Sequence, residues 1–130
     1  MIAVDSSSLI AYLEGAQGPD VEATGWALDH RQAVLPPAVL TEVLSEPTLT
    51  SDLRNLFTQI PLLEVTEGYW ERAGLLRARV LRQGRRARLA DTLIAQSCLD
   101  HDVALITRDT DFQPFVRTAG LPLFSLRRRS

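Results

Sequence analysis

Ile2-Ala3-Val4-Asp5-Ser6-Ser7-Ser8-Leu9-Ile10 opens with a short apolar run containing branched residues, breaks at an acid, and resumes as a segment of helical character. A strand that runs into a carboxylate and then into a helix is the entry unit of a parallel sheet covered by helices. Residues 33–35, 62–65, 103–107 and 121–124 are further short apolar runs, separated by longer segments of helical period. This alternation predicts an α/β fold, a single-domain α/β/α sandwich with a central, mainly parallel sheet.

The intervening segments carry helix signals. The first helix is expected over 8–14 and the second over 21–30, after the turn-rich 15–19. Pro36 and Pro37 end a strand and open a helix that stops near Glu46, ahead of Pro47. Thr66 is placed to cap a long helix whose apolar stripe is Tyr69, Ala73, Leu76 and Val80 and whose end is marked by Gly84. One more helix starts near Ala90 or Asp91 and runs to about His101.

Composition bounds the rest. The chain has 130 residues, 45% hydrophobic and 23% charged, which predicts one folded domain over 1–130 and excludes a disordered chain. One cysteine, Cys98, excludes an internal disulfide framework and a thiol-rich zinc site, so a reducing compartment and cytoplasmic location are expected. No basic leader precedes Ile2, and no apolar stretch approaches the roughly 20 residues a membrane helix needs. Net charge is -2, and all 14 basic residues are arginine. Arg85, Arg86 and Arg88 form one cluster and Arg127, Arg128 and Arg129 another, each either a phosphate contact or a solvated segment.

The acids carry the functional signal. Ligands of an open parallel sheet bind beyond the carboxyl ends of its strands. Asp5 follows the first strand and Asp109 lies two residues past Thr107, so both belong at that edge. Glu42 lies in the helix leaving the second strand and borders the face of Val39 and Val43. Asp91 shares an apolar stripe with Ile94, Ala95 and Cys98 and should point inward. Carboxylates converging on one crevice repel one another, and a divalent cation resolves the conflict. Oxygen-only ligands suit Mg²⁺ or Mn²⁺, ions that commonly bridge to phosphate. Singly, each acid has a plain reading: Asp91 as a helix-start charge, Asp109 with Asp111 as an Asx-rich turn, Glu42 as a surface residue. The metal reading rests on the set. Outside the set, Asp111 is either an auxiliary ligand or a surface acid, and Glu46 either joins through water or stays on the surface, the surface reading being preferred for both.

Four segments, Val4-Asp5-Ser6-Ser7-Ser8-Leu9-Ile10, Leu40-Thr41-Glu42-Val43, Asp91-Thr92-Leu93-Ile94-Ala95 and Leu105-Ile106-Thr107-Arg108-Asp109-Thr110-Asp111-Phe112, together resemble the PIN-domain nucleases, and in length and spacing the VapC-type toxins of toxin–antitoxin pairs. Ser6 and Ser7 stand where threonine and asparagine are commoner, and Gln96 where alanine is usual. The resemblance implies a Mg²⁺- or Mn²⁺-dependent endoribonuclease with Asp5, Glu42, Asp91 and Asp109 as catalytic and metal-binding residues. Ser7 and Thr107 would support the first and last acids. It further implies products with 3′ hydroxyl and 5′ phosphate ends, a small antitoxin partner and a homodimer formed through the early helices.

Arg85, Arg86, Arg88 and Arg108 are candidates to hold RNA beside the acids, and Trp26, Tyr69 and Trp70 either stack bases or pack the protein. His30 and His101 read as structural, which disfavours an acid–base pair of histidines. Three alternatives stay open: a phosphoacceptor domain, weakened by the absence of lysine; a PIN-like RNA- or protein-binding module; and an RNA-processing nuclease outside toxin–antitoxin systems.

Overall fold

A computed structural model of the chain describes residues 1–125; Arg127, Arg128 and Arg129 lie outside them. Three short strands, β1 (Ile2–Val4), β2 (Ala33–Val34) and β3 (Leu105–Ile106), form a parallel sheet in the order β2-β1-β3. Ile2 and Ala3 pair with Ala33 and Val34, while Ala3 and Val4 pair with Leu105 and Ile106. Neighbouring residues of a strand point to opposite faces. Ala3 and Val4 are both fully buried, as are Leu105 and Ile106, so both faces of the sheet are covered. The expected sandwich is the observed fold.

Seven α-helices flank the sheet: α1 (Ser6–Leu13), α2 (Pro19–Asp29), α3 (Pro37–Leu44), α4 (Ser51–Gln59), α5 (Tyr69–Arg82), α6 (Leu89–His101) and α7 (Gln113–Ala119). Pro19 and Pro37 sit at helix starts, where a missing N–H costs nothing. The predicted stripe of α5 is buried at Tyr69, Ala73, Leu76 and Val80, and Gly84 follows the helix with φ +73°.

Several expectations need correction. The runs at 62–65 and 121–124 do not form strands; each contributes a single bridging residue, Leu62 beside Leu35 and Leu123 beside Leu105. Proline explains the shortfall: Pro61 and Pro122 offer carbonyls to Leu35 and Leu105 but have no N–H for the ladder. Thr66 does not cap α5, since Gly68 takes that position with φ +80° and the Thr66 carbonyl accepts from the Tyr69 N–H. Two helices went unforeseen, α4 and α7. α4 is capped by Thr50, whose Oγ1 accepts from the Leu53 N–H at 3.2 Å, and its Leu53, Leu56, Phe57 and Ile60 recur at helical spacing, so the signal for it was present in the sequence.

Candidate active site

The parallel register delivers the acids to one edge. Asp5 leaves β1 with its N–H still donating to the Ile106 carbonyl at 2.9 Å, so its backbone is an extension of the sheet. Its carboxylate is 3% exposed. Oδ2 accepts from Ser7 Oγ at 2.6 Å and Thr107 Oγ1 at 2.9 Å, which puts both predicted supporting residues on the predicted acid. Burial raises the Asp5 pKa, and these hydroxyls, with the N–H groups of Ser6 and Ser7, pull it back only in part. Thr107 also links the ends of the site: its Oγ1 accepts from the Asp109 N–H at 3.0 Å while donating to Asp5.

Asp91 stands in the first turn of α6, 9% exposed, on the stripe where Ile94, Ala95 and Cys98 are fully buried. Its pKa is pushed from 3.8 to about 6, first by burial and then by the charges of Asp109, Asp5, Glu42 and Asp111. No hydrogen bond opposes these effects. One carboxylate oxygen each from Asp91, Asp109 and Asp111 lie within 4.8 Å of one another. Asp111, read from sequence as a surface acid or an auxiliary ligand, contributes an oxygen to this tight group. The reason is local: Asp109 Oδ1 accepts from the Asp111 N–H at 2.8 Å, starting the 3-10 turn Thr110–Phe112 that folds the second acid back. The Asx turn and the acid cluster thus coexist in the same residues.

Asp5 and Glu42 lie outside that tight group, near enough for their charges to raise the Asp91 pKa. Glu42 projects from α3 beside the buried Val39 and Val43 and accepts from Ser6 Oγ at 3.1 Å. Burial, then the charges of Asp5 and Asp109, raise its pKa. Glu46 turns to Thr48, whose hydroxyl and N–H it accepts at 2.8 and 3.1 Å, as a surface residue would.

The basic candidates divide. Arg108 is engaged by the fold: Nε donates to Asp20 Oδ2 at 2.8 Å and Nη2 to Asp20 Oδ1 at 3.1 Å. Arg88 lies 3.7 Å from Asp111, and Arg85 and Arg86 line an open groove with Arg117. His30 contacts the Trp26 carbonyl and stacks on its ring, while His101 contacts the Glu64 carbonyl, so both histidines are engaged in structure. Tyr69 donates to the Leu93 carbonyl at 2.7 Å, which makes it a packing residue, whereas Trp70 is 62% exposed.

An all-oxygen donor set, three of whose carboxylates bring oxygens within 4.8 Å of one another, fits a hard divalent cation such as Mg²⁺ or Mn²⁺. The PIN domain family model matches residues 2–120, nearly the whole described chain. The chain belongs to the PIN domain family. PIN domains are nucleases, and this one has an acidic cluster able to take a metal ion. It also superposes on a chain of the FitAcB crystal structure from Neisseria gonorrhoeae, with a TM-score of 0.69 and 19% identity over 96% of this PIN domain and 97% of that chain. No curated protein sequence matches it significantly.

Two features of the site were not anticipated. Ser6 as the partner of Glu42 lies one residue from the expected support at Ser7. Asp20, the partner of Arg108, reads in sequence only as an acid in the first turn of a helix, and nothing there announces a contact 88 residues away.

Proposed function

We propose that this PIN domain is a metal-dependent endoribonuclease, using Mg²⁺ or Mn²⁺, and the toxin component of a type II toxin–antitoxin pair in the cytoplasm. The observation that carries the reading is the convergence of Asp91, Asp109 and Asp111, one carboxylate oxygen of each within 4.8 Å of the others, with carboxylates rather than a cation as the charged neighbours of Asp91. Such a group is costly alone and favourable beside a divalent ion. Asp5, Asp91 and Asp109 would hold the ion, with Asp111 joining at the same opening. Ser7 and Thr107 fix the Asp5 carboxylate so that it need not reorganise. Glu42, exposed at the mouth and held by Ser6, is placed to orient the attacking water. The bound ion supplies a water of lowered pKa and polarises the phosphoryl oxygen. Arg85, Arg86 and Arg88 would bind flanking phosphates of the RNA.

Surface apolarity supports the protein partners. A groove beside Glu42 is lined by Pro37, Val65, Tyr69, Trp70, Leu89 and Leu93, of which Trp70 and Leu89 are each 62% exposed. An apolar antitoxin segment there would bring an arginine within reach of the acids. A second apolar groove, lined by Ile10, Leu13, Val43, Leu49 and Leu53, suits a second copy of the chain. Among the described residues no helix is long and apolar enough to cross a membrane.

The test is cleavage of RNA by the purified chain with Mn²⁺, Mg²⁺ or chelator, and analysis of the ends. Metal-dependent products with 3′ hydroxyl and 5′ phosphate are expected, lost in Asp5→Asn and Asp91→Asn. Cyclic phosphate ends, or full Mg²⁺-dependent activity in both variants, would overturn the reading.

A further inference from the structure

Three consecutive residues leave β3 with their side chains engaged in different places. Thr107 donates to Asp5 and receives the Asp109 N–H, and Asp109 belongs to the tight acid group. Arg108, between them, is bound instead to α2: to both carboxylate oxygens of Asp20 and, through Nη2, to the Gln17 carbonyl at 3.2 Å. In extended backbone, alternate side chains point to opposite faces, so fixing the middle residue fixes the roll of the segment and the direction of both neighbours.

Asp20 reaches the other side of the site as well. Its Oδ2 accepts from Ser8 Oγ at 2.8 Å, and Ser8 is fully buried in the first turn of α1, next to Ser7, which holds Asp5. One carboxylate, itself 4% exposed, therefore ties down the two segments that carry Asp5 and Asp109. Its surroundings are shaped for it. Gly18, at φ +144°, has no Cβ; one added there would lie 2.8 Å from Asp20 Oδ1 and 3.3 Å from Arg108 Nη2. Burial opposes ionisation of Asp20, but the bonds and charge of Arg108 and the Ser8 bond outweigh it and lower its pKa.

We propose that Asp20, acting through Arg108 and Ser8, is a positioning residue for the metal-binding acids, setting the relative placement of Asp5 and Asp109. The inference rests on the reading of those acids as a metal site. Asp20 and Arg108 touch neither metal nor substrate; the pair acts by holding the β3 exit and the start of α1 in one register. Residues supporting metal ligands in this way commonly contribute about 10- to 100-fold to metal affinity.

The test is Mn²⁺ binding to the full, metal-free chain, read from the electron paramagnetic resonance signal of the free ion. Asp20→Asn, Arg108→Lys and Ser8→Ala are compared with wild type, with Asp91→Asn, and with Arg72→Lys, which alters an equally well-formed arginine–carboxylate pair at the far end of α6 from Asp91. Wild type should bind and Asp91→Asn should not. Asp20→Asn and Arg108→Lys should bind about tenfold more weakly, with cleavage restored towards the wild-type rate at saturating Mn²⁺. Arg72→Lys should keep wild-type affinity even where its melting temperature falls as far. Should Asp20→Asn fail to fold, Arg108→Lys and Ser8→Ala decide the matter. Wild-type Mn²⁺ affinity in the folded clamp variants overturns the positioning role while leaving the metal site standing. Failure of wild type to bind Mn²⁺ overturns the metal site and, with it, the clamp.

Discussion

At the C-terminal end of α6, Asp100 accepts from Arg72 Nε at 3.0 Å and Nη2 at 2.7 Å and from Gln96 Nε2 at 2.8 Å, and these partners, Arg72 foremost, hold its pKa low. At the N-terminal end of the same helix, Asp91 has carboxylates for neighbours and a pKa near 6. The helix dipole predicts the reverse order, favouring an anion at the N-terminus and disfavouring one at the C-terminus by about 0.3–1 kcal/mol. A rise from 3.8 to about 6, at about 1.4 kcal/mol per unit, exceeds that term. The environment overrides the dipole at both ends. An acid with its partners supplied by the fold is part of the architecture, while an acid surrounded by acids is poised for a ligand that the fold does not supply.

Neutralising each end should break the symmetry in opposite senses. Asp91→Asn should weaken Mn²⁺ binding by more than about a hundredfold, beyond the range of supporting residues, and abolish cleavage. Yet it should raise the melting temperature of the metal-free chain above pH 6 by roughly 3–5 °C, the effect of about 1 kcal/mol at this size. Calorimetry with and without Mn²⁺ reads both effects, and a lower melting temperature in metal-free Asp91→Asn would mean that Asp91 is a structural acid after all. Asp100→Ala should do the opposite. It leaves the largely buried Gln96 without its acceptor and Arg72 with only the Glu67 carbonyl and the Thr66 hydroxyl, and should cost about 2 kcal/mol of stability, with Mn²⁺ affinity unchanged.

A pH titration sharpens the same contrast without mutation. The folded pKa of Asp91 is raised, so its contribution to stability is fully present below about 3.8 and is lost as pH climbs through about 6. Asp100 is the converse, with a lowered pKa whose stabilisation is present above its unfolded value and disappears as pH falls through the folded one. Between pH 5 and 7 the metal-free wild type should therefore lose stability attributable to Asp91, while Mn²⁺ affinity rises as the proton leaves. Asp91→Asn should reduce this pH dependence of the metal-free melting temperature to the part carried by Asp5 and Glu42, whose pKa values are also raised, and saturating Mn²⁺ should suppress it in wild type.

What sequence disclosed of this arrangement follows from which constraints are regular. The expected convergence of Asp5 and Asp109 came from the rule that a parallel sheet sends its strand ends to one edge, and that of Asp91 from the fixed period of a helical stripe. Ser7 and Thr107 came only from the resemblance to PIN-domain nucleases. The contacts that escaped notice depend on tertiary approach: Arg108 meets Asp20 across 88 residues, and Ser6 meets Glu42 across 36. The outer strands at 62–65 and 121–124 failed for a different reason. Their apolar residues carried the right period, but Pro61 and Pro122 removed the donors that a continuing ladder needs.

Asp111 offers the finest discrimination between a ligand and a satisfied acid, because it has features of both ends of α6. Like Asp91 it presents an oxygen to the tight group, and like Asp100 it has an arginine nearby, though Arg88 stands off at 3.7 Å and both side chains are partly exposed. An exposed pair at that distance contributes well under about 1 kcal/mol, too little to hold Asp111 against a divalent cation. Asp111→Asn should therefore weaken Mn²⁺ binding, but by only about tenfold, the low end of the range for residues that support metal ligands. Arg88→Gln, which frees the Asp111 carboxylate, should strengthen Mn²⁺ binding slightly while weakening RNA binding and flattening its salt dependence. Unchanged metal affinity in Asp111→Asn would return that residue to the role of a turn former, and the ion would then rest on Asp91 and Asp109 with Asp5 behind them.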